Sequence, residues 1–350
     1  LVGSEMCIRD RINPEDSDIM INSNDGGSNI SFNGGRSWST QKNQPTAQFY
    51  RVNVDNRFPY WVYGGQQDNS TVAIKSSTFS SGISWKDWIA GVGGCETAYV
   101  AFDKDNPVLM YAGCYQGIIS EYNLELDNSK NIMAYPSMGL GEPSDEQKYR
   151  FNWNAPILVS QHDSDVIYHA ANKLLKSTDR GINWEEISPD LTKNKKENMG
   201  PGGGPITNEG AGGEVYHTIY YIAESPHSKD VIYAGADDGL VHITTDGGKS
   251  WKNISPELEE GMINSIDVSP HDPATVYIAY NRYKFDDFKP YILKSTDYGN
   301  SWKMLGNGIE ENSFVRVVRE DIQKEGLLYA GTERGIYMST DAGQSWHKWQ

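Results

Sequence analysis

The stretch Ser177-Thr178-Asp179-Arg180-Gly181-Ile182-Asn183-Trp184 decides the fold, because its pattern recurs along the chain. Three more segments have the form Ser/Thr-Thr-Asp-x-Gly-x-x-Trp: TTDGGKSW at 244–251, STDYGNSW at 295–302 and STDAGQSW at 339–346. Two weaker copies lack the Asp, SFNGGRSW at 31–38 and TFSSGISW at 78–85. Six of the ten tryptophans therefore share one motif position, at intervals of 47, 99, 67, 51 and 44 residues. The interval of 99 predicts one repeat that has lost its motif.

A second recurring element is an apolar run that ends in small residues and precedes the motif. Asp230–Gly235 and Leu327–Gly331 are two copies, and Val108–Gly113, which no motif follows, fills the gap in the spacing. A polar turn and another strand come before each run. Four short antiparallel strands in 44 to 51 residues are typical of a propeller blade. We therefore predict an all-β chain, a β-propeller of about seven four-stranded blades, with units starting near Asp18, Phe58, Asn106, Asp163, Lys229, Asp272 and Lys324. The first unit lacks its leading strand unless Ile12 belongs to it.

The repeated motif is an Asp-box, also called the bacterial neuraminidase (BNR) repeat. Its carboxylate can accept hydrogen bonds from the backbone of its own turn, and its Gly can adopt a positive φ. A Trp at its end can pack between neighbouring sheets. Because a brace is needed in every blade and an active site is not, we interpret these residues as structural: Asn33, Asp179, Asp246, Asp297, Asp341, Trp38, Trp85, Trp184, Trp251, Trp302 and Trp346.

Composition excludes two classes of protein. The formal charge of -16 argues against a nucleic-acid-binding protein, which needs a basic surface. No window of about 18 consecutive apolar residues occurs, so we expect no membrane-spanning helix. A hydrophobic fraction of 37% with 35 glycines fits short strands and tight turns better than long buried helices.

The two ends of the chain suggest a fragment. Residues 1–11 (LVGSEMCIRDR) match none of the repeats and resemble translated adapter sequence, so we expect a non-native leader there. We assign residues 12–350 to the propeller. The chain stops at Trp349-Gln350, directly after a repeat motif, which predicts a longer parent protein.

Cysteine and histidine positions suggest a disulfide and no metal. If the turn at 103–106 is centred between Lys104 and Asp105, Cys95 faces Cys114 across two strands, and a disulfide or two free thiols are both open. A disulfide would imply an oxidising compartment. His162, His227 and His271 recur on separate blades, so we do not expect them to converge on a zinc ion. We predict no metal and no cofactor.

Ligands of propellers usually bind where the loops after the second strands and before the first strands converge. On these loops the candidate ligand-binding residues are Arg51, Gln67, Asp68, Glu96, Arg150, Trp153, His217, Asp238, Arg282 and Arg316. Arg51, Arg150 and Arg316 could line one channel and bind a carboxylate, or each could pair with a local acid. The weak catalytic candidates are Asp237, Asp286 and Asp287, the last two within an aromatic insertion. The glycine-rich segment Asn198–Pro205 is interpreted as a flexible rim loop.

Several segments resemble a large group of bacterial Asp-box propellers labelled glycosyl hydrolase-like or sortilin N-terminal-domain-like. They are GGQQDNS at 64–70, Gly93-Gly94 with Glu96, RFNWNAP at 150–156, SPDL at 188–191 and DDFKPY at 286–291. The resemblance implies an exported protein with two tandem propellers, of which this chain would hold mostly the second. The other propeller would then be an intramolecular partner.

The sequence is compatible with three classes of function. The first hypothesis is an extracytoplasmic propeller that binds a glycan, a peptide or a partner protein on its loop face, and the alternative is a sialidase-like or xyloglucanase-like glycoside hydrolase. The hydrolase would need two carboxyl groups roughly 5–10 Å apart. A third, a purely structural module, predicts a filled channel.

Overall fold

The computed structural model describes residues 9–24, 27–41, 47–137, 142–200 and 215–349. These residues form short strands with three 3₁₀ turns at Tyr115–Gly117, Lys196–Asn198 and Tyr283–Phe285. The strands are β1 (Arg9–Ile12), β2 (Met20–Asn24), β3 (Gly27–Ser31), β4 (Phe49–Val54), β5 (Trp61–Gln66), β6 (Ser70–Lys75), β7 (Trp88–Ala90), β8 (Val100–Phe102), β9 (Leu109–Gly113), β10 (Ile119–Asn123), β11 (Asn128–Asn131), β12 (Ile157–Val159), β13 (Ile167–Ala170), β14 (Leu174–Ser177), β15 (Glu185–Glu186), β16 (Ile219–Ser225), β17 (Ser228–Ala236), β18 (Val241–Thr244), β19 (Lys252–Asn253), β20 (Met262–Val268), β21 (Val276–Arg282), β22 (Asp287–Ser295), β23 (Lys303–Met304), β24 (Val315–Glu320), β25 (Leu328–Thr332), β26 (Gly335–Ser339) and β27 (His347–Lys348).

The strands form seven antiparallel sheets, which confirms the all-β propeller. Six sheets have four strands in simple chain order, β4–β7, β8–β11, β12–β15, β16–β19, β20–β23 and β24–β27. We number these blades 2 to 7. Blade 3 (β8–β11) carries no Asp-box, as the interval of 99 residues predicts. In its place, the side chain of Asn123 accepts hydrogen bonds from the backbone N–H groups of Glu125 and Leu126.

Blade 1 differs from the prediction at its outer edge. Ile12 does belong to a leading strand, since β1 pairs along its length with β2, and Ile12 faces Met20. Among the residues that the structure describes, the strand missing from this sheet is the fourth, because its order ends at β3. After the motif, Ser39 donates its backbone N–H to Ile30 at 2.9 Å, and the side chain of Gln41 donates to that of Asn29 at 3.0 Å. All four residues of β1 are exposed.

The division of the chain at residues 11 and 12 therefore falls inside a strand. Arg9, Asp10 and Arg11 pair with β2 residues just as Ile12 does. Residues 1–8, with Cys7, lie outside the described part of the chain. The origin of the first eleven residues stays a prediction.

The core lies in layers between successive blades. Between blades 5 and 6, the fully buried Tyr233 and Val241 meet Ile263, Ile278 and the rest of one apolar cluster. Similar clusters fill the spaces between blades 2 and 3, 3 and 4, 4 and 5, and 6 and 7. This burial explains why the second strands are nearly continuous apolar runs, since both faces of each are covered.

Each Asp-box closes its hairpin with the same side-chain bonds. In the copy at 177–184, the Asp179 carboxylate accepts the Asn183 backbone N–H at 2.8 Å and the Ser177 hydroxyl at 2.8 Å. The Ser177 hydroxyl in turn accepts the N–H of Gly181 at 2.7 Å. Gly181 has a φ of 83°, and a Cβ there would come within 2.6 Å of Ile132, so glycine is required on two counts.

The carboxylates of Asp246, Asp297 and Asp341 accept the backbone N–H four residues on at 2.9 Å each. Asn33 reproduces this bond with its amide oxygen and Ser37, also at 2.9 Å. These carboxylates are therefore engaged within their own turns, which suits the structural interpretation. Hydrogen bonds from the turn lower the pKa of Asp246, Asp297 and Asp341 to about 2.

Four Asp-box tryptophans fasten their blade to the preceding one. Each indole N–H donates to a backbone carbonyl across the inter-blade seam: Trp184 to Ile132 at 2.8 Å, Trp251 to Ile187 at 2.8 Å, Trp302 to Ile254 at 2.7 Å and Trp346 to Leu305 at 2.5 Å. The rings also pack against the apolar clusters of those seams. The motif is thus an inter-blade anchor as well as a turn.

Trp38 and Trp85 differ from the other four Asp-box tryptophans, and for Trp85 the predicted packing between sheets is wrong. Trp38 donates its indole N–H to Gly35, within its own turn. Trp85 is 75% exposed. Its turn carries Ser80 in place of Asp, and the Ser80 hydroxyl donates to the Gly82 carbonyl instead of accepting backbone N–H groups. The conformation that directs the Trp into the seam is therefore lost.

Three histidines provide a second inter-blade bond. The Nε2 of His162, His227 and His271 lies 2.9, 2.9 and 2.8 Å from the carbonyls of Ser225, Ser269 and Asp321, each in the next blade. Because a carbonyl only accepts, Nε2 carries the proton and donates. The histidines occupy equivalent positions on separate blades, as the sequence indicates, and each one connects its blade to the next.

Cys95 and Cys114 form a disulfide with a Cα–Cα distance of 5.0 Å. The strand register that suggested this pairing is wrong. The turn between the strands is longer, so that Ala101 lies opposite Tyr111 rather than Val108. Cys95 precedes β8, and its backbone N–H donates to Gly113 at 3.1 Å, beside Cys114. An irregular segment before β8 therefore brings the two thiols together.

Candidate functional site

The loop face opens on a central cavity of about 1050 Å³. Residues of blades 2 to 7 line it, from their first and second strands and from the loops next to these strands. Ten of its lining side chains are aromatic: Phe49, Tyr50, Tyr63, Tyr99, Trp153, Tyr216, Tyr220, Tyr221, Tyr283 and Phe285. A large concave site rich in aromatic rings and polar groups is where small molecules usually bind.

Bulges in the first strands point residues into this cavity. The pairing register shifts in β4 between Phe49 and Val52, in β16 after Ile219, in β20 after Ile263 and in β24 after Val315. The residues left unpaired, namely Tyr50, Arg51, Tyr220, Asn264 and Arg316, all line the cavity. A bulge places an extra residue on a strand and re-aims its side chain. The same backbone irregularity thus supplies cavity residues from four blades.

Arg51 reaches furthest across the cavity. Its guanidinium donates to the Asn154 side chain at 3.2 Å and to the carbonyls of Asn264 at 3.1 Å and Tyr220 at 3.4 Å. It also lies over the rings of Tyr99, Tyr220 and Tyr221, 5.0 to 5.6 Å from their centroids. One side chain of blade 2 therefore contacts blades 3, 4, 5 and 6.

The predicted trio of channel arginines is wrong in one member. Arg51 and Arg316 line the cavity, but Arg150 does not. Arg150 is buried, forms an ion pair with Asp190 at 2.6 Å, and donates to the carbonyl of His217 at 3.2 Å. The cavity instead contains Arg319, three residues after Arg316 within β24, which donates to the hydroxyl of Tyr221 at 2.6 Å.

Gln67 and Trp153 form one side of the cavity mouth. The indole of Trp153 stacks on Tyr115 with centroids 5.0 Å apart and donates to the hydroxyl of Tyr50 at 2.9 Å. That hydroxyl donates to the Gln67 side chain. The amide of Gln67 in turn donates to Glu96 at 2.9 Å. This hydrogen-bonded chain holds the aromatic platform in a fixed orientation.

Asp68 and Glu96 lie outside the cavity wall. Glu96 accepts the backbone N–H of Asp68 at 2.6 Å and supports Gln67 from behind. Asp68 has a φ of 59° and an exposed turn position. These two acids therefore shape the rim of the site without lining it.

Asp237 is the single carboxyl group among the described residues that line the cavity. It is 5% exposed and accepts the backbone N–H of Thr218 at 3.0 Å and the Thr218 hydroxyl at 2.7 Å. Burial, followed by the neighbouring Asp238 carboxylate, raises the pKa of Asp237 to about 8. At neutral pH this group is therefore mostly protonated.

Asp238 and His217 are fully buried behind that wall. Nδ1 of His217 lies 2.6 Å from the Asp238 carboxylate, which also accepts the backbone N–H of Lys193 at 2.7 Å. His217 has a φ of 60°, a conformation rare for a residue other than glycine. The structure thus assigns these two predicted ligand-binding residues a position beneath the site.

The aromatic insertion does not present paired acids to the cavity. Asp287 accepts hydrogen bonds from Arg282 at 2.8 Å and from the Tyr291 hydroxyl at 2.7 Å, contacts that hold its pKa below the usual value against the opposing effect of burial. Asp286 is exposed and lies outside the cavity lining. Arg282, Tyr283, Lys284 and Phe285 do line it. The insertion therefore contributes cations and rings rather than carboxylates.

Residues 201–214, which include most of the predicted glycine-rich rim loop, lie outside the described residues. Within the described ranges, no cluster of three or more His, Cys, Asp or Glu is arranged to hold a metal ion. The same ranges contain no helix with the length and hydropathy of a transmembrane span.

Comparison with known proteins identifies the repeats. The family model for the BNR/Asp-box repeat matches residues 337–348. Xyloglucanase Xgh74A of Acetivibrio thermocellus is 31% identical over 136 residues, which cover 34% of this chain and 16% of that protein. A xyloglucanase of Paenibacillus sp is 27% identical over 154 residues, covering 40% of this chain and 15% of that protein. The matched region thus spans less than a fifth of either relative.

A solved structure supports the fold over almost the whole chain. The extracellular domain of a putative hybrid two-component system from B. thetaiotaomicron aligns with 97% of this chain and 38% of that one, with a TM-score of 0.54 and 12% identity. This similarity concerns the fold alone. The chain is a β-propeller with BNR/Asp-box repeats, and about a third of its sequence is similar to part of a xyloglucanase.

Proposed function

We propose that the protein is an extracytoplasmic propeller that binds a glycan in its central cavity. The observation that carries the proposal is a cavity of about 1050 Å³ whose lining includes seven aromatic side chains that are at least partly exposed: Phe49, Tyr50, Tyr99, Trp153, Tyr220, Tyr283 and Phe285. Aromatic rings offer flat apolar faces that can pack on the C–H faces of a sugar. Amide groups of Gln67, Asn152 and Asn264 lie among them and can exchange hydrogen bonds with hydroxyl groups.

The rings at the cavity mouth are held in place before a ligand arrives. Trp153 is fixed by its stacking on Tyr115 and by its bond to Tyr50. A site whose side chains are already ordered loses less conformational entropy on binding. The Trp153 platform is therefore the part of the cavity where we place the first sugar ring.

Two further observations support this assignment. The relatives that the chain matches are named xyloglucanases, a name for enzymes that act on a glucan. The Cys95–Cys114 disulfide suits an oxidising compartment outside the cytoplasm. A second propeller in the same parent polypeptide remains a prediction from the sequence.

Glycoside hydrolysis is the second candidate, and Asp237 is the observation that favours it. A buried, protonated carboxyl group in a sugar-sized cavity is suited to donate a proton to a glycosidic oxygen. The mechanism also needs a second carboxyl group across the cleft. No other carboxylate lines the cavity in the described ranges, so binding without turnover is the better-supported function.

A glycan array followed by calorimetric titration tests the binding function. Trp153→Ala should weaken binding of an array-positive oligosaccharide by about fivefold or more, since stacking contributes roughly 1 kcal/mol or more. Trp85→Ala is the matched control, because Trp85 is exposed and outside the cavity. An array with no bound glycan, or equal affinity in both variants, would contradict the proposal.

Turnover is measured on the same oligosaccharides by the release of reducing ends. Turnover that Asp237→Asn abolishes and Asp286→Asn leaves intact would establish the hydrolase instead. Binding without product release would support the binding protein.

A further inference from the structure

Cations outnumber carboxyl groups in the described lining of the cavity, although the protein is strongly acidic. The whole chain has a formal charge of -16. Five cationic side chains nevertheless line the described part of the cavity, against one carboxyl group: Arg51, Arg282, Lys284, Arg316 and Arg319 against Asp237. Cations that converge in a concave site raise the local concentration of anionic ligands.

Some of these cations are neutralised by acids nearby. Arg282 forms ion pairs with Glu259 at 2.5 Å and Asp287 at 2.8 Å. Arg319 lies 3.5 Å from Asp267. Arg316 pairs with Glu333 at 3.1 Å, but both side chains are largely exposed and water screens that pair.

Arg51 is different, because its partners among the described residues are uncharged. Its three hydrogen bonds go to an amide oxygen and two backbone carbonyls. A guanidinium group has five N–H donors, so two remain for a ligand. The rings of Tyr99, Tyr220 and Tyr221 fix its plane. Arg51 therefore presents a full positive charge in a fixed position within the cavity.

Asp237 does not offset this charge at neutral pH. Burial and Asp238 raise its pKa to about 8, so the group is mostly neutral below that pH. A neutral carboxyl group can also donate a hydrogen bond to an anionic ligand. Among the described residues, the cations of the cavity then include Arg51, whose hydrogen-bond partners are uncharged, and Arg316, whose partner Glu333 is largely exposed.

We propose that the glycan is acidic, and that a carboxylated sugar, a hexuronate unit of an oligosaccharide, places its carboxylate on Arg51. A planar guanidinium binds a carboxylate through two parallel N–H···O bonds, which the two remaining donors can supply. Arg316, in the bulge of β24, also lines the cavity and adds to the attraction; both it and Arg51 hydrogen-bond to Asn264. This inference rests on the proposed glycan-binding function and adds the chemical class of the ligand.

The test compares three tetrasaccharides of equal length by calorimetry: tetragalacturonate, its methyl ester and the neutral cellotetraose. The methyl ester keeps the sugar and removes the charge. We expect tetragalacturonate to bind at least about tenfold more tightly than its ester. We also expect its affinity to fall between 0.05 and 0.5 M salt, on the order of several-fold, because exposed charges are screened.

Arg51→Gln should abolish the preference for the acid over the ester, and Arg51→Lys should restore part of it. Because Arg51 also contacts several blades, its replacement could disturb the fold. Arg316 is more exposed, so Arg316→Gln should leave the fold intact and reduce the preference for the acid several-fold. Lys249→Gln is the matched control, because it removes one exposed positive charge outside the cavity.

The outcomes separate this inference from the proposed function. If the ester or cellotetraose binds as tightly as tetragalacturonate and salt does not change the affinity, the ligand is not an acidic glycan. That result would leave the proposed glycan binding intact. The acidic class would also be overturned if the array shows glycan binding and the folded variants Arg51→Gln and Arg316→Gln still prefer tetragalacturonate to its methyl ester. Binding of tetraglutamate with no binding of any saccharide on the array would overturn both.

Discussion

The indole N–H of Trp346 in blade 7 donates a 2.5 Å hydrogen bond to the backbone carbonyl of Leu305 in blade 6. The ring itself is 2% exposed and belongs to the apolar cluster between the two blades. Because Trp184, Trp251 and Trp302 make the equivalent bond at the three preceding seams, one motif position connects blades 3 to 7 in series.

Trp346→Ala should lower the free energy of unfolding by about 3–5 kcal/mol, the usual cost of removing a buried large aromatic side chain. Trp346→Phe keeps most of the apolar contact but removes the N–H donor, and should cost about 1–3 kcal/mol. Urea denaturation followed by tryptophan fluorescence and circular dichroism measures both. Trp85→Ala is the matched control and should change stability by less than about 0.5 kcal/mol, because the ring is exposed. A similar loss in Trp85→Ala and Trp346→Ala would contradict the distinction between the two motifs.

Asp-box carboxylates should make the protein sensitive to acid. Turn hydrogen bonds lower the folded pKa of Asp246, Asp297 and Asp341 to about 2, below the ordinary value of about 3.9 in an unfolded chain. Their contribution is therefore complete above about pH 4 and is lost as the pH falls towards 2. We expect the urea midpoint to drop in that window.

Asp297→Asn isolates this effect, because Asn33 shows that an amide can make the same turn bonds. The variant should remain folded and show a smaller drop in the urea midpoint between pH 4 and 2 than the parent chain. An unchanged acid profile would mean that these carboxylates are not the groups that titrate.

Asp237 should have the opposite pH dependence. Its folded pKa of about 8 lies above the unfolded value of about 3.9, so the folded state binds more protons than the unfolded state between these values. The contribution of Asp237 to the free energy of unfolding therefore falls as the pH rises from about 4 to 8. Asp237→Asn removes that loss, so the stability of the variant relative to the parent should increase from pH 4 to pH 8. Urea titrations at pH 4, 6 and 8 measure it, with the exposed Asp286→Asn as the control. A constant difference between Asp237→Asn and the parent at all three values would refute the raised pKa.

The disulfide should stabilise the protein by restricting the conformations of the unfolded chain. Cys95 and Cys114 are 19 residues apart, and closing a loop of that size stabilises a protein by about 3 kcal/mol. The double variant Cys95→Ser/Cys114→Ser should lose about that amount in a thermal or urea titration. Reduction of the parent chain should have the same effect, while mass spectrometry after alkylation without reductant should find both thiols protected. Free alkylation of Cys95 and Cys114 in the folded protein would show that the bond does not form.

The repeat alone predicts most of the architecture, because each Asp-box specifies a turn through contacts between residues close in sequence. Asp179, Gly181 and Trp184 specify a hairpin through bonds that span four residues, and such contacts are readable from spacing. The weak copy at 78–85 shows the limit of this reasoning. Ser80 differs from Asp by one functional group, and the exposure of Trp85 depends on a bond that the pattern cannot reveal.

The candidate site was predicted less completely, since strand bulges decide its lining. Arg51 and Arg316 fall in bulges, which direct them to the cavity, while Arg150 on a regular loop is buried with Asp190. Arg319 is missed because alternation along β24 depends on where the bulge occurs. A single extra residue reverses which side chains face inward.

Sequence by itself therefore determined the blade, its turn chemistry, the approximate number of blades and the face on which polar and aromatic residues collect. Those features depend on contacts within a few residues or on a repeated period. Tertiary structure decided which residues meet: the carbonyls that accept the tryptophan and histidine N–H groups, the irregular segment that joins Cys95 to Cys114, and the charge balance around Arg51. These partners lie tens to hundreds of residues apart, and only the closing of blades around a common centre brings them within bonding distance.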